Sequence, residues 1–221
     1  MFAKLLIFLA PLIVFSAPKV EPQSKPSVAT ILDGIEASYR DIKTLDARFE
    51  QSFKNRVFRR TQRSNGRVRF ARPGLMEWRY ELPSQRRFVL DGKDLWIHQL
   101  DDGQVFVRRN YDGDDLKAAL RFLWGGGNLR AHYEVSLIKT NEARALLKLV
   151  PKKPAGFYSF VRLAVDRKTY RITHSVVVDE RGNENRFAFR EARYDSEIPK
   201  SAFAFVVPQG AKVTELSGAA N

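Results

Sequence analysis

Residues 72–83 read Arg72-Pro73-Gly74-Leu75-Met76-Glu77-Trp78-Arg79-Tyr80-Glu81-Leu82-Pro83, and residues 87–98 read Arg87-Phe88-Val89-Leu90-Asp91-Gly92-Lys93-Asp94-Leu95-Trp96-Ile97-His98. In the first run, apolar or aromatic side chains at positions 76, 78, 80 and 82 alternate with charged ones at 77, 79 and 81. This period of two indicates a β-strand with one buried face. Arg72-Pro73-Gly74 predicts a turn before the strand, and Asp91-Gly92 predicts a hairpin because its turn positions favour positive φ. The stretch therefore predicts a sheet face lined with large apolar side chains, with one arginine at its rim.

The same alternation continues on both sides of this stretch. Ala47, Phe49, Gln51 and Phe53 share one face of an upstream strand, and further alternating segments follow to residue 194. A tail containing Phe203 and Phe205 is expected to pack back onto the sheet. In total, about eleven strands are predicted, and tight turns between consecutive strands imply antiparallel pairing.

Two amphipathic helices are predicted beside the sheet. The first covers residues 28–42, with an apolar stripe at positions 28, 31, 32, 35, 39 and 42. The second begins at Asp114-Asp115, carries Leu116, Ala119, Leu120 and Leu123 on one face, and ends at the glycines 125–127. A sheet of this size curls, and its concave face is where both stripes can be buried. The predicted fold is mainly β with α: an unclosed antiparallel β-barrel of about eleven strands with a helical lid over the concave face.

The chain of 221 residues has room for one sizeable domain, which we assign to residues 28–210. Residues 1–16 contain Lys4 followed by an apolar run too short to cross a bilayer comfortably, which predicts a signal peptide cleaved after Ser16. An uncleaved N-terminal anchor is the alternative. Residues 17–27 are rich in Pro, Ser and Lys and predict a flexible spacer, and residues 211–221 are assigned to a C-terminal tail.

No set of residues in the sequence predicts catalysis. Cysteine is absent, which excludes disulfides, cysteine zinc sites, a thiol nucleophile and a lipid-modified cysteine. The three histidines do not form a His-Glu-x-x-His motif, and no serine lies in a Gly-x-Ser-x-Gly motif. Most carboxylates lie at turns, where local hydrogen bonding explains them. The sequence therefore predicts a binding protein that is not an enzyme and has no metal or other cofactor.

The formal net charge of +13 raises the alternative of a nucleic-acid-binding module. Its candidates are Arg59, Arg60, Arg63, Arg67, Arg69 and Arg79. These arginines alternate with apolar residues, so they are expected on the solvent side of half-buried strands. An exported chain rarely meets nucleic acid. An anionic membrane surface or an acidic partner is the favoured interpretation of the charge.

The inward-facing candidates form a stripe that could be either a packed core or the wall of a cavity. On the sheet they are Phe49, Phe53, Phe70, Met76, Trp78, Tyr80, Phe88 and Leu90, and on the second helix Leu116, Leu120 and Leu123. A curled sheet of about eleven strands encloses more space than these side chains obviously fill. Pattern alone leaves both possibilities open.

Several short motifs occur in a characteristic order. They are Gly66-x-x-x-Phe70-x-Arg72-Pro73-Gly74-x-x-x-Trp78, then Pro83, then Asp91-Gly92-Lys93-x-Leu95-Trp96, then Gln104-Val105. Together with flanking segments, this pattern resembles the periplasmic outer-membrane lipoprotein carrier family (LolA) over roughly residues 28–210. The family fold, an unclosed β-barrel capped by helices, agrees with the fold predicted from the residues.

The resemblance implies a function. Such a protein would accept triacylated lipoproteins from an inner-membrane ABC transporter, shield their acyl chains in its cavity, cross the periplasm as a monomer, and release them to an outer-membrane receptor. Arg72 matches the family's arginine that hydrogen-bonds the lid and holds the empty form closed. The receptor of this pathway is itself a lipoprotein, so the absence of cysteine favours the soluble carrier. The alternative is a periplasmic carrier or sensor of another amphiphile, such as a glycolipid or free lipid, on the same scaffold.

Overall fold

The computed structural model describes residues 26–111, 129–154 and 158–216. Its strands are β1 (Thr44–Asn55), β2 (Arg60–Ala71), β3 (Leu75–Leu82), β4 (Arg86–Asp91), β5 (Leu95–Gln99), β6 (Gln104–Arg108), β7 (Tyr133–Thr140), β8 (Arg144–Pro151), β9 (Phe160–Asp166), β10 (Ile172–Val178), β11 (Glu184–Tyr194) and β12 (Lys212–Glu215). The helices are α1 (Val28–Arg40), the short α2 (Leu129–His132) and a 3-10 helix (Lys200–Phe203).

All of these strands belong to one sheet, in the order β12-β6-β5-β4-β3-β2-β1-β11-β10-β9-β8-β7. Every neighbouring pair is antiparallel except β12 and β6, which are parallel. Strands β12 and β7 lie at the two edges without pairing to each other, so the described sheet is unclosed, as the sequence predicts. The predicted domain ends at residue 210, whereas β12 adds residues 212–215 to the sheet.

The turns predicted at residues 72–74 and at Asp91-Gly92 are both present in the structure. Residues 72–74 connect β2 to β3, and Gly74 has a φ of 67°. Asp91 closes the hairpin between β4 and β5, where its side chain accepts hydrogen bonds from the backbone N–H groups of Lys93 and Asp94 and from Trp96 Nε1. Gly92 in this turn has a φ of 97°, which favours glycine.

Helix α1 is capped by Ser27, whose hydroxyl accepts a hydrogen bond from the N–H of Thr30. Its buried side chains are Ile31, Leu32, Ile35 and Tyr39, which agree with the predicted stripe. They join a single core with residues from both halves of the sheet, from β1–β3 on one side to β7–β10 on the other. The sheet therefore curves around α1.

Several predictions lie outside the described residues. These are the signal peptide at 1–16, most of the spacer, and the second amphipathic helix with Leu116, Leu120 and Leu123. Within the ranges 26–111, 129–154 and 158–216, no helix combines the length and apolar character needed to cross a membrane.

The outer face of the sheet departs from the sequence interpretation. The alternation predicts Glu77 on the face opposite the apolar side chains, but the structure buries it to 1% exposure and also buries Asp46 on β1. The reason is a network of arginines that surrounds them, together with residues 200–205, which return across this face. Arg87 links the two, because its guanidinium donates to both Glu77 Oε1 and the carbonyl oxygen of Ala202.

The C-terminal segment adds an apolar contact to this cover. Phe205 stacks on Trp96 with ring centroids 5.1 Å apart, beside the buried Val89, Val105 and Val107. This small second core lies on the opposite face of the sheet from α1. The predicted packing of Phe203 and Phe205 onto the sheet is therefore confirmed.

Candidate functional site

The eight sheet residues predicted to point inward all lie on the same face. Strand pairing places Met76 opposite Phe70 and Leu90, and Trp78 opposite Val68 and Phe88. Phe49 and Phe53 lie four residues apart on β1, which keeps them on one side of the pleat. This face carries α1, and we call it the concave face.

Phe49 is the centre of an aromatic cluster on the concave face. Its ring centroid lies 5.0 Å from those of Trp78 and Tyr80 and 6.0 Å from that of Phe187. Gly66, opposite Phe49 on β2, makes room for this ring, because a Cβ there would lie 3.0 Å from Phe49 Cε1 and would collide with the carbonyl oxygen of Arg79. Close packing against Phe49 and Arg79 therefore explains why residue 66, the first residue of the motif Gly66-x-x-x-Phe70, is a glycine.

Burial changes along the concave face. At the end near Arg72, the side chains of Phe70, Met76 and Phe49 are almost completely buried. Toward the other end of the same strands, Phe53 and Tyr80 are only partly buried, and so is Phe88 on β4. Leu90 is also partly buried, but it pairs with Met76 nearer to Arg72. The face is thus a packed core at one end and a partly exposed apolar surface at the other. That the exposed part forms the wall of a cavity stays a prediction.

Sequence reasoning missed several members of this surface. Leu95, Ile97 and Phe106 extend it across β5 and β6, and Phe187 and Phe189 extend it across β11, all partly buried. The alternation at 187–189 was a usable local signal. What the sequence could not show is that β11 pairs with β1, more than 130 residues earlier in the chain.

Arg72 connects the sheet to α1. Its guanidinium donates hydrogen bonds to the carbonyl oxygens of Arg40 and Tyr39, at 3.0 and 3.2 Å. These carbonyls lie at the carboxyl end of α1, where the helix dipole favours a cation. In the described residues, Arg72 therefore ties the β2–β3 turn to a helix that covers the concave face.

A second contact fixes the same end of α1. The hydroxyl of Tyr39 accepts a hydrogen bond from the N–H of Ile172, and its ring packs edge-on against Tyr194. The guanidinium of Arg171 lies 4.9 and 4.2 Å from the centroids of these two rings. Burial raises the pKa of Tyr39 far above its ordinary value, so its hydroxyl is neutral at physiological pH. The C-terminal turn of α1 is therefore held from both sides.

The opposite face is built from ion pairs. Glu77 contacts Arg69, Arg79 and Arg87 at 2.7 to 2.9 Å, and Asp46 accepts two hydrogen bonds from Arg67 and one from Arg193. Burial acts to raise the pKa of Asp46, but hydrogen bonds from Arg67 and Arg193 and the charges of Arg67 and Arg69 outweigh it, so the pKa is lowered. Within the described ranges, no three histidine or acidic side chains are arranged to hold a metal ion.

The sheet is unclosed, and helix α1 covers part of its aromatic concave face while another part stays partly exposed. This architecture is that of a β-sheet protein with an apolar surface on one side that suits apolar chains. Residues 40–206 match the family described as Outer membrane lipoprotein carrier protein LolA. The chain belongs to this family.

Individual relatives agree with this assignment. The outer-membrane lipoprotein carrier protein of Chromobacterium violaceum is 30% identical over 189 residues, which cover 85% of this chain and 89% of that protein. The protein of the same description from Methylibium petroleiphilum is 26% identical over 185 residues, covering 84% and 89%. A crystal structure of an uncharacterized conserved protein from Thermus thermophilus shares the fold, with a TM-score of 0.54 at 15% identity and coverage of 84% of this chain and 97% of that one.

Proposed function

We propose that the chain is a non-catalytic periplasmic carrier that shields the acyl chains of lipoproteins and moves them from the inner to the outer membrane. The observation that carries this proposal is the partly exposed apolar end of the concave face, in a member of the lipoprotein carrier family. Phe53, Tyr80 and Phe88 form this end together with Phe187, and Leu90 on the same face completes the proposed surface.

Acyl chains suit this surface for a simple physical reason. Each buried CH₂ group contributes about 0.8 kcal/mol, so a lipid anchor free in water would aggregate or return to a membrane. Aromatic side chains offer large contact areas without fixing the position of a chain along its length. The concave face can therefore bind lipids of different length and saturation.

A carrier in this compartment needs a donor and an acceptor. We propose an inner-membrane ABC transporter as the donor and an outer-membrane lipoprotein receptor as the acceptor, with triacylated lipoproteins as cargo. The protein would act as a monomer. A carrier or sensor of another amphiphile, such as a glycolipid, is the second candidate. An apolar surface that binds acyl chains does not distinguish between the headgroups attached to them.

Arg72 is the proposed latch of the empty form. Its hydrogen bonds to the end of α1 favour the conformation in which the helix lies against the β2–β3 turn. A ligand that displaces α1 must break them, so the latch lowers the apparent affinity for cargo and makes release possible. We also propose that Leu116, Leu120 and Leu123 contact the acyl chains of the cargo.

The decisive experiment is release of lipoproteins from inner-membrane vesicles that contain the transporter. We expect the purified protein to bring lipoproteins into the soluble fraction and to form a one-to-one complex with a triacylated species by native mass spectrometry. A complex with a different amphiphile, without lipoprotein release, would support the second candidate. Both candidate functions would be contradicted if the protein purified from the periplasm carries no ligand and releases no lipoprotein from the vesicles.

Replacing Arg72 by Leu tests the latch. We expect Arg72→Leu to bind cargo more tightly and to transfer it more slowly to acceptor membranes, because the empty closed form loses the hydrogen bonds that favour release. Arg72→Lys keeps the charge but has a single donor nitrogen in place of the two that reach Arg40 and Tyr39, so this matched control should transfer at an intermediate rate. Transfer at the rate of the unaltered protein by Arg72→Leu would remove Arg72 from the mechanism.

A further inference from the structure

The hairpin between β1 and β2 ends in an unusual tip. Residues 54–63 read Lys54-Asn55-Arg56-Val57-Phe58-Arg59-Arg60-Thr61-Gln62-Arg63, with five cationic side chains and no acidic one. At its apex, Val57 and Phe58 are 69% and 73% exposed. Two large apolar side chains at the apex of a turn, ringed by arginines, are not explained by packing or by the concave face. We call residues 54–63 the basic tip.

The basic tip projects from the sheet. Residues 65–71 of β2 pair with β3, but residues 60–64 pair only with β1. The hairpin therefore extends past the end of β3 by five residues, or about 17 Å at the rise of an extended strand. On its other side, the pairing of β1 with β11 stops at Lys54. Val57 and Phe58 consequently lie beyond the ends of both neighbouring strands.

Two side-chain hydrogen bonds order the turn, one from within it and one from the neighbouring connection between β10 and β11. Asn55 Oδ1 accepts a hydrogen bond from the N–H of Phe58, and Asn183 Oδ1 accepts one from the N–H of Arg56. Arg59 has a φ of 50°, which completes the tight turn. The exposed pair is therefore presented by a fixed turn.

The arginines of the tip have no carboxylate partner in the part of the chain that the structure describes. Among the ion pairs formed between described residues, none includes Arg56, Arg59, Arg60 or Arg63. Two carboxylates of the adjacent β10–β11 region are engaged elsewhere. Asp179 accepts from Asn183, and Glu184 pairs with Arg162.

We infer that the basic tip docks the protein on anionic phospholipid membranes, with Val57 and Phe58 entering the headgroup region and the surrounding arginines contacting lipid phosphates. A protein partner fits less well, because specific protein interfaces bury about 800 Å² on each side, far more than a single turn supplies. A bilayer requires no matching surface, and its anionic headgroups attract each nearby cation with roughly 1 kcal/mol.

Docking in this orientation has a consequence for the concave face. Phe53 lies on β1 immediately before the basic tip, at the partly exposed end of that face. The opposite end, with Arg72 and the end of α1, lies at the far end of the same strands. The tip would therefore bring the exposed end of the concave face toward the membrane surface, where acyl chains enter and leave.

Fluorescence at the tip tests the inference directly, since the chain has no native cysteine to label. Phe58→Cys carries an environment-sensitive NBD probe on the purified protein, which is mixed with vesicles of phosphatidylcholine alone or with 30% phosphatidylglycerol. We expect a blue-shifted, brighter emission only with the anionic vesicles. Ile138→Cys, at an exposed position on β7 toward the other end of the sheet, is the matched control and should not respond.

Sedimentation of the same vesicles measures the contribution of each group. Val57→Ser with Phe58→Ser should weaken binding by about tenfold or more, and Arg59→Gln with Arg60→Gln by about fivefold for each charge removed. Arg190→Gln, an exposed arginine on β11 outside the tip, should bind like the unaltered protein.

Failure of the unaltered protein to bind anionic vesicles, or equal binding by all tip variants, would overturn the inference. So would binding to an acidic protein without any response to vesicles. Because these vesicles contain no lipoprotein, the outcome is independent of the proposed carrier function. A protein that releases lipoproteins but ignores anionic vesicles would keep that function and lose only the docking role.

Discussion

The two faces of the sheet share the same strands but are built from opposite chemistry. On β3, Met76 and Trp78 join the aromatic cluster beneath α1, while Glu77 between them is surrounded by three arginines on the other side. The concave face becomes partly exposed toward one end, whereas the C-terminal segment covers the outer face beside Glu77 and Arg87. A surface that must receive a ligand cannot also be fully packed. We therefore expect the buried ion pairs of the outer face to help hold the strands together where the concave face is partly exposed.

The largest effect should come from the shared aromatic centre. Phe49→Ala removes a ring that is 1% exposed and contacts Trp78, Tyr80 and Phe187. We expect the free energy of unfolding to fall by about 4 kcal/mol, because the ring leaves a cavity among rigid neighbours. Urea denaturation followed by tryptophan fluorescence measures this change, and a loss below about 1 kcal/mol would mean that this end of the concave face is loosely packed.

Breaking the outer face should cost somewhat less. Glu77→Gln leaves Arg69, Arg79 and Arg87 without their shared carboxylate, and we expect a loss of about 3 kcal/mol in the free energy of unfolding. The arginines retain partial contact with water, which keeps the loss at the low end of the range for buried ion pairs. Glu81→Gln removes an exposed partner of Arg48 and should change stability by less than about 0.5 kcal/mol. Equal effects of the two variants would contradict a supporting role for the buried cluster.

The exposed end of the concave face should separate binding from stability. Phe53→Asp places a charge where acyl chains are proposed to lie, and we expect cargo affinity to fall about tenfold, or roughly 1.4 kcal/mol. The free energy of unfolding should change by less than about 1 kcal/mol, because Phe53 is only partly buried. Phe53→Leu keeps an apolar side chain and is the control. Competition with a fluorescent fatty acid measures the affinity, and a large loss of stability without loss of binding would reverse the assignment.

The smallest effect concerns pH. Because the pKa of Asp46 is lowered in the folded protein, its ion pairs contribute stability above the pKa of the unfolded chain, and this contribution is lost as the pH falls through the folded pKa. The stability difference between the unaltered protein and Asp46→Asn should therefore be constant from about pH 7 to pH 5 and shrink below about pH 4. Unfolding curves at several pH values test this, and a difference that grows on acidification would have the wrong sign.

The sequence predicts features that depend on neighbouring residues and does not predict those that depend on contacts between residues far apart in the chain. Alternation and turn chemistry are local, so they placed the strands around Met76–Trp78, both turns and the inward face correctly. The burial of Glu77 could not be predicted, because it depends on the return of Ala202 more than 120 residues later. The contact of Phe187 with Phe49 depends on the pairing of β1 with β11, and no local sequence pattern indicates which distant strand β11 pairs with. The basic tip was visible as charge, but its projection beyond β3 follows only from the register.

The pairing of β1 with β11 also has a consequence for how the chain folds. Strands β1 to β6 are consecutive hairpins, and so are β7 to β11, but β1 joins the two groups through contacts between residues such as Phe49 and Phe189. Local hairpins form quickly, whereas closing a loop of this length is slow. We therefore expect this single seam to limit the folding rate. Until it closes, each half exposes part of the aromatic surface, so the newly exported chain is most prone to aggregation before the seam forms.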